Sequence, residues 1–193
     1  MRLLTLTLLA VWGTATHAGT DFSVDAETGL ASWQTETDGI QVRLTQISPD
    51  QARAFYQARG FSAADAERYA SECVFMTVVR NIGDTPIRHR LADWRYVSAG
   101  QPPRAIRSKA DWERLWKQQG VTESARIAFT WAQFPTAQTF EPGDWNQGMT
   151  TYSVPRGGQF DLHFAWHTLK GINADGQLLR GTLEQVRCAD EHP

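Results

Sequence analysis

The stretch Phe160-Asp161-Leu162-His163-Phe164-Ala165-Trp166-His167 decides the fold of this chain. Large apolar side chains occupy every second position, and mostly polar residues stand between them. An alternation with a period of two predicts a β-strand with one face in a hydrophobic core and the other facing water. Strands of this kind are typical of antiparallel sheets that bury one side.

Further strand-like runs lie on both sides of this stretch. They alternate in the same way or are rich in β-branched and aromatic residues, and they lie at 40–47, 73–80, 87–96, 125–131, 148–154 and 178–188. Gly and Pro turns separate them, and Asp175-Gly176 predicts the last hairpin turn. Because no βαβ alternation is present, the pattern predicts a mainly β chain, an immunoglobulin-like two-sheet β-sandwich with inserted short helices.

The inserted helices are predicted from capping residues. Ser48 followed by Pro49 predicts the start of a helical hairpin over residues 49–70. Ser108 with Asp111 three residues later predicts a second insertion over 109–119. The aromatic stripe of that helix indicates core packing, because tryptophans spaced by four residues share one helical face.

The first residues predict export. Met1-Arg2 is a short basic segment, residues 3–11 are mostly apolar, and small residues precede Gly19. This pattern is typical of a secretory signal peptide, here residues 1–18, and predicts a periplasmic or secreted protein whose remaining residues 19–193 form a single domain. The apolar run is too short to span a bilayer, and no later segment is as apolar, so no transmembrane segment is expected after cleavage.

Composition and charge exclude several classes of protein. The chain has 19 Lys and Arg against 21 Asp and Glu, so its formal net charge is -2. Because it lacks a strongly basic balance, a nucleic-acid partner is not expected. With 41% hydrophobic and 21% charged residues, the composition is that of a globular protein rather than a disordered chain.

The two cysteines, Cys73 and Cys188, both follow the predicted leader. In an oxidising compartment an isolated pair predicts one disulfide bond. A thiol pair that holds a soft metal such as Cu(I) remains the alternative.

Turn sequences suggest a family. The runs Phe140-Glu-Pro-Gly-Asp144, Gly148, Tyr152-Ser-Val-Pro155 and the start of the decisive strand, together with residues 78–87, cover about a third of the chain. They resemble the immunoglobulin-like (telokin-like) domains of exported bacterial proteins of unknown function. The resemblance implies a sandwich fold. It implies no activity, because turn chemistry carries information about the fold alone.

No motif of a hydrolase, zinc protease, redox-active thiol protein or nucleotide-binding protein is present. Asp161 and His163 share the polar face of one strand and could act as a base and its orienting group, but such exposed pairs are usually solvated surface. We therefore expect a non-catalytic binding or accessory module whose partner is another envelope protein, and an enzymatic activity stays open.

Copper binding is the first alternative. Met149 could join His163, His167 or His89 from a neighbouring strand, and a mixture of His and Met ligands in an exported protein suits copper. No other cofactor is expected.

Carbohydrate binding is the second alternative. Trp145 stands among Asp144 and Asn146 in what the sequence predicts to be a polar loop, and an exposed ring there could stack on a sugar. The simpler interpretation is that Trp145 plugs one end of the sandwich.

The chain has eight tryptophans, an unusual number for its length. Five are predicted to be core residues because they fall in apolar register on strands or helices, namely Trp94, Trp112, Trp116, Trp131 and Trp166. Trp33 and Trp145 have no such register, so their positions are the most informative about function.

Overall fold

The computed structural model describes residues 19–169 and 175–190, so the predicted signal peptide lies outside the described residues. The strands are β1 (Asp21–Val24), β2 (Ala31–Thr37), β3 (Ile40–Ile47), β4 (Cys73–Asn81), β5 (Ile87–Arg90), β6 (Arg95–Ser98), β7 (Arg104–Ala105), β8 (Ala137–Phe140), β9 (Trp145–Tyr152), β10 (Gln159–Leu169) and β11 (Asp175–Arg187). The helices are α1 (Pro49–Gln57), α2 (Ala63–Ala70), α3 (Lys109–Gln118) and α4 (Glu123–Ala132). No described helix is both long and apolar enough to cross a membrane.

These strands form two antiparallel sheets. The first has the order β1-β2-β3-β4-β9, with β1 and β9 at its opposite edges. The second is built on β10, the strand predicted from the decisive stretch, which pairs with β11 on one side. On its other side β10 pairs with β5 and then β6, and Trp94 between them donates its indole N–H to the Ala165 carbonyl at 3.0 Å. The long strand therefore carries the whole second sheet.

The main core lies between the two sheets. Leu162, Phe164 and Trp166 of β10 are buried there together with apolar residues of the first sheet such as Leu44 and Phe75. The period-two alternation of β10 places these side chains on one face, as the sequence predicted. The mainly β sandwich with inserted helices is thus confirmed.

A second core, which we call the helical core, lies on the other side of the first sheet. Val74, Met76 and Met149 point away from the sandwich and contact the four helices. The helices and the segment between α1 and α2 contribute a cluster of large aromatic side chains, namely Tyr56, Phe61, Tyr69, Trp112, Trp116 and Phe129. The protein therefore has three layers, in which the first sheet is covered on one face by the second sheet and on part of the other by helices.

The predicted helix starts are confirmed by their caps. The Ser48 side chain accepts a hydrogen bond from the Gln51 amide at 3.2 Å, and the Gln51 side chain accepts one from the Ser48 amide at 2.9 Å. Ser108 and Asp111 form the same reciprocal arrangement at the start of α3. Such capping boxes satisfy two backbone N–H groups that the helix itself leaves unpaired.

The predicted strand at 125–131 is wrong, because these residues belong to helix α4. The Thr122 side chain caps its first turn by accepting from the Ala125 amide. Ala125 and Phe129 are buried while Ile127 is exposed, so the burial repeats every four residues rather than every two. The second helical insertion therefore extends beyond 119 to Ala132.

The predicted disulfide is present. Cys73 at the start of β4 is bonded to Cys188, which follows β11, across a sequence separation of 115 residues. The alternative of a free thiol pair for Cu(I) is therefore wrong.

Candidate functional site

Burial divides the tryptophans of the described residues into two groups. Five are buried, including Trp33, which is 5% exposed. Trp131 and Trp145 are 85% and 52% exposed. The prediction that Trp131 is a core residue is wrong, because the helical period of α4 turns it to solvent while Phe129 faces the core.

Helix α4 is apolar on two faces. Ala125 and Phe129 pack in the helical core, whereas Ile127 and Trp131, four residues apart, lie together on the solvent side. Ile127 is 52% exposed. We call Ile127 and Trp131 the apolar stripe. A surface helix normally carries polar residues on this side, so the stripe is the most unusual apolar feature of this layer.

The end of α4 is fixed against the edge of β9. The Phe134 amide donates to the Met149 carbonyl at 3.0 Å, and Gln133 forms an isolated parallel β-bridge with Met149. A Cβ atom on Gly148 would lie 2.4 Å from the Phe134 nitrogen, so glycine is required for this close approach. The stripe is therefore held next to β9 at one edge of the first sheet.

An ion pair adds a second restraint on α4. Arg126 contacts the carboxylate of Glu113 on α3, and the Arg126 side chain also donates to the Val121 carbonyl at 3.2 Å. The guanidinium thereby ties the two helices of this insertion together. The outer face of α4 is thus presented on a restrained helix.

Trp145 lies in a strand and not in the predicted loop. It begins β9, is opposite Arg80 of β4, and leaves 52% of its surface exposed, so it does not plug the end of the sandwich. Because it is four residues before Met149 in the same strand, its side chain lies on the face of the sheet that the helices partly cover. Its exposure indicates that the helices do not cover this end of β9. Trp145 is therefore near the edge that holds the apolar stripe.

The polar neighbours of Trp145 have structural contacts. The Asp144 carboxylate accepts from the Glu141 amide at 3.0 Å and closes a turn. The Asn146 side chain donates to the Gln138 side chain at 2.6 Å. Carbohydrate binding at Trp145 stays a prediction.

The first copper candidate, His89, lies in the main core. Its ring is fully buried against the rings of Phe134, Phe140 and Trp94, at centroid distances of 5.0, 5.6 and 5.9 Å. Neither ring nitrogen has a hydrogen-bond partner in the part of the chain that is described. Burial lowers the pKa of His89 to about 4, because a charged imidazole loses its hydration there.

We expect His89 to make the protein acid-sensitive. Above pH 6.5, the ordinary pKa of histidine, His89 is neutral in both the folded and the unfolded state. Between that pH and about pH 4, only the unfolded chain binds the proton. The free energy of unfolding should therefore fall by about 3 kcal/mol between about pH 7 and about pH 4 through this group alone. Denaturant unfolding of wild type and His89→Leu at both pH values measures the difference. Equal pH dependence in the two proteins would contradict it, and exposed His163→Leu is the control.

Met149 lies in the helical core, at one end of a series of buried side-chain hydrogen bonds. Its sulfur accepts from the Tyr56 hydroxyl at 3.3 Å, and that hydroxyl accepts from the Gln133 amide at 2.7 Å. Tyr69 donates to the same Gln133 side chain at 3.2 Å. Burial raises the pKa of both tyrosines, so they remain neutral donors.

The remaining candidates lie on the outer face of the second sheet. His163 Nδ1 is 3.1 Å from the Thr182 hydroxyl, and a nitrogen of His167 is 3.5 Å from an Arg90 nitrogen. Asp161 accepts from the Gln185 amide at 2.8 Å instead of contacting His163. The Asp161–His163 pair is therefore not assembled as a base and its orienting group.

The four copper candidates thus occupy three separate environments: the main core, the helical core and an outer sheet face. In the described ranges, no group of three or more His, Cys, Asp or Glu side chains is placed to hold a metal ion. Copper binding by fewer of these residues stays a prediction.

Comparison with solved structures finds a weak likeness to YcdA, a Bacillus subtilis protein described as a candidate lipoprotein. The two chains share 8% identity at a TM-score of 0.33, and the likeness covers 88% of this chain. The chain spans 35% of the length of YcdA, and so low a score supports no argument about fold or function. No family model and no curated protein matches the sequence. Membership of the immunoglobulin-like exported domains stays a prediction.

Proposed function

We propose that this protein is an exported, non-catalytic accessory module that docks on another protein of the cell envelope. The observation that carries the proposal is the apolar stripe, in which Trp131 is 85% and Ile127 52% exposed on a helix whose opposite face is buried. Contiguous exposed apolar side chains, tryptophan above all, are typical of protein interfaces.

The stripe is suited to docking because it is restrained before a partner arrives. Phe129 anchors α4 in the helical core, Arg126 ties it to Glu113, and residues 133–134 fix its end to β9. A restrained surface loses little conformational entropy on binding, so more of the contact energy remains for affinity.

Export is supported by two observations. Residues 1–18 have the composition of a signal peptide, and the Cys73–Cys188 disulfide is compatible with an oxidising compartment. An exported module that stays in the cell envelope would meet its partner there.

Photo-crosslinking in the producing cell tests the docking proposal. We expect a photoreactive phenylalanine analogue at position 131 or 127 to give a discrete cross-link to an envelope protein, identified by mass spectrometry. Purified partner should then bind Trp131→Ala about tenfold or more weakly than wild type, as at an interface hot spot.

Gln177, an exposed residue of β11 in the second sheet, provides the control position. The analogue at 177 should not give the same product. The proposal is refuted if neither 127 nor 131 gives a discrete product, or if Trp131→Ala binds the cross-linked partner as tightly as wild type.

A further inference from the structure

A groove lies at the edge of the first sheet that is opposite to the apolar stripe. It runs between the β1–β2 hairpin and residues 184–190 at the end of the chain. Two depressions of about 490 and 390 Å³ share Phe22, Trp33 and Arg187, so they adjoin each other. We call it the hairpin groove. Because β1 and β9 are separated by three strands, it is a surface distinct from the stripe.

The floor of the hairpin groove is aromatic. Phe22 and Trp33 are directly opposite each other on β1 and β2, with ring centroids 5.3 Å apart. Phe22 is 61% exposed, whereas Trp33 is buried and packs edge-on against Phe75. An exposed ring is therefore supported from below by rings of the main core.

The rim of the groove is rich in uncharged hydrogen-bonding groups. Its polar lining has four glutamines, three hydroxyl side chains and, besides the ion pair named next, one carboxylate, namely Gln46, Gln51, Gln159, Gln185, Thr20, Thr28, Ser48 and Glu184. Arg187 is 3.3 Å from Asp190, so its charge is compensated within the protein. The rim thus offers mainly amide donors and acceptors, and Glu184 is the one charged side chain of the lining outside the Arg187–Asp190 pair.

The backbone along the groove wall is already hydrogen-bonded. The Glu184 amide donates to the Thr20 hydroxyl and the Gln185 amide to Asp161, each at 2.8 Å. The Cys188 amide donates to the Gly158 carbonyl at 2.9 Å, and the Arg187 carbonyl accepts from the Gln46 side chain at 2.7 Å. A peptide that adds as a strand needs unpaired backbone groups, so a ligand on this wall, unlike one on the edge strand β1, would bind side chains rather than the backbone.

Gln185 is held in an uncommon conformation. Its φ of 54° lies in the left-handed region, at a bulge where register shifts between Phe160 and Leu162. A non-glycine residue there is strained by about 1 kcal/mol or more, and such strain clusters at functional sites. The bulge places an amide side chain at the rim, where the Asp161 carboxylate fixes the backbone.

We propose that the hairpin groove binds an uncharged oligosaccharide. A sugar ring would stack on Phe22 while its hydroxyls exchange hydrogen bonds with the surrounding glutamines, including Gln159 and Gln185. The seven residues 184–190 span at most about 20 Å, which limits the groove to a few sugar rings. An anionic glycan is disfavoured because the Glu184 carboxylate also lines the groove and the Arg187 guanidinium already faces Asp190.

Isothermal titration of the mature protein with four neutral hexasaccharides, cellohexaose, maltohexaose, mannohexaose and N-acetylchitohexaose, tests the inference. We expect saturable binding of at least one with a Kd below about 1 mM. Phe22→Ala should weaken it about tenfold by removing the stacking ring. Gln185→Gly should also weaken it, although it relieves the backbone strain, because the amide is lost. A purely structural role for Gln185 would leave binding unchanged or improved.

Val24→Ala is the matched control, since Val24 is also exposed on β1 but does not line the two depressions described. It should bind as wild type does. Trp131→Ala should bind sugar normally too, so failure of envelope docking and failure of sugar binding are separately visible. Absence of saturable binding by all four sugars, insensitivity to Phe22→Ala, or a photo-crosslink from position 22 to a polypeptide would each overturn the inference.

Discussion

Replacing Cys73 and Cys188 together by alanine is expected to lower the free energy of unfolding by about 4 kcal/mol. The bond closes a loop with a sequence separation of 115 residues, and so long a loop greatly restricts the unfolded chain. It also fixes the end of the chain beside the start of β4, where Cys188 and its neighbours form part of the hairpin groove. The loss should therefore be among the largest for any paired substitution in the protein.

Urea unfolding of the wild type and the double alanine variant measures this effect. The double variant is used because a single substitution would leave a reactive thiol. Reduced wild type should be destabilised to a similar extent, which separates the loss of the bond from the change in side chains. A difference below about 1 kcal/mol would show that the loop is already restricted in the unfolded state.

Phe129→Ala is expected to lower the free energy of unfolding by about 4 kcal/mol, the middle of the range for removing a buried phenyl ring. Phe129 is fully buried at the centre of the helical core. Its ring contacts five other aromatic rings, those of Tyr56, Phe61, Tyr69, Trp112 and Trp116. Since these rings come from α1, α2 and α3 and the segment after α1, they cannot close the cavity without moving several elements.

The matched control for Phe129→Ala is Ile127→Ala, two residues earlier on the same helix but on the exposed apolar stripe. This variant should change the free energy of unfolding by less than about 0.5 kcal/mol, since little is buried there. Thermal unfolding followed by near-ultraviolet circular dichroism would report both stability and the packing of the aromatic cluster. Similar losses in the two variants would mean that α4 packs differently from the structure.

Local sequence signals predicted the elements whose packing agrees with them. In β10 the period-two pattern and the burial coincide, and at Ser48 and Ser108 the caps depend only on residues nearby. Helix α4 was missed because Ile127, Phe129 and Trp131 alternate like a strand, although only Phe129 of the three is buried. The capping residue Thr122 was the signal that could have identified it.

The candidate surfaces were less predictable than the fold. The sequence left open whether Trp145 is exposed. The exposure of Trp131 could not be predicted, because it depends on helix α4, which the sequence analysis assigned as a strand. The hairpin groove has no local signal, because Phe22, Gln51, Gln159 and Gln185 are brought together only by strand pairing and disulfide formation. Contacts between residues so distant in the chain arise from tertiary structure rather than from any local pattern.

The shared helical layer has a consequence for the order of folding. Helices α1 and α2 interrupt the chain between β3 and β4, whereas α3 and α4 lie between β7 and β8, and all four pack on a face completed by Met149 of β9. The aromatic side chains of each insertion pack against those of the other, and the sheet face beneath them is complete only when β9 has paired with β4, far along the chain. Contacts with such large sequence separation slow folding, so the helices should be consolidated late and together. Until then the folding chain would expose its aromatic cluster, so aggregation is the main risk during this period.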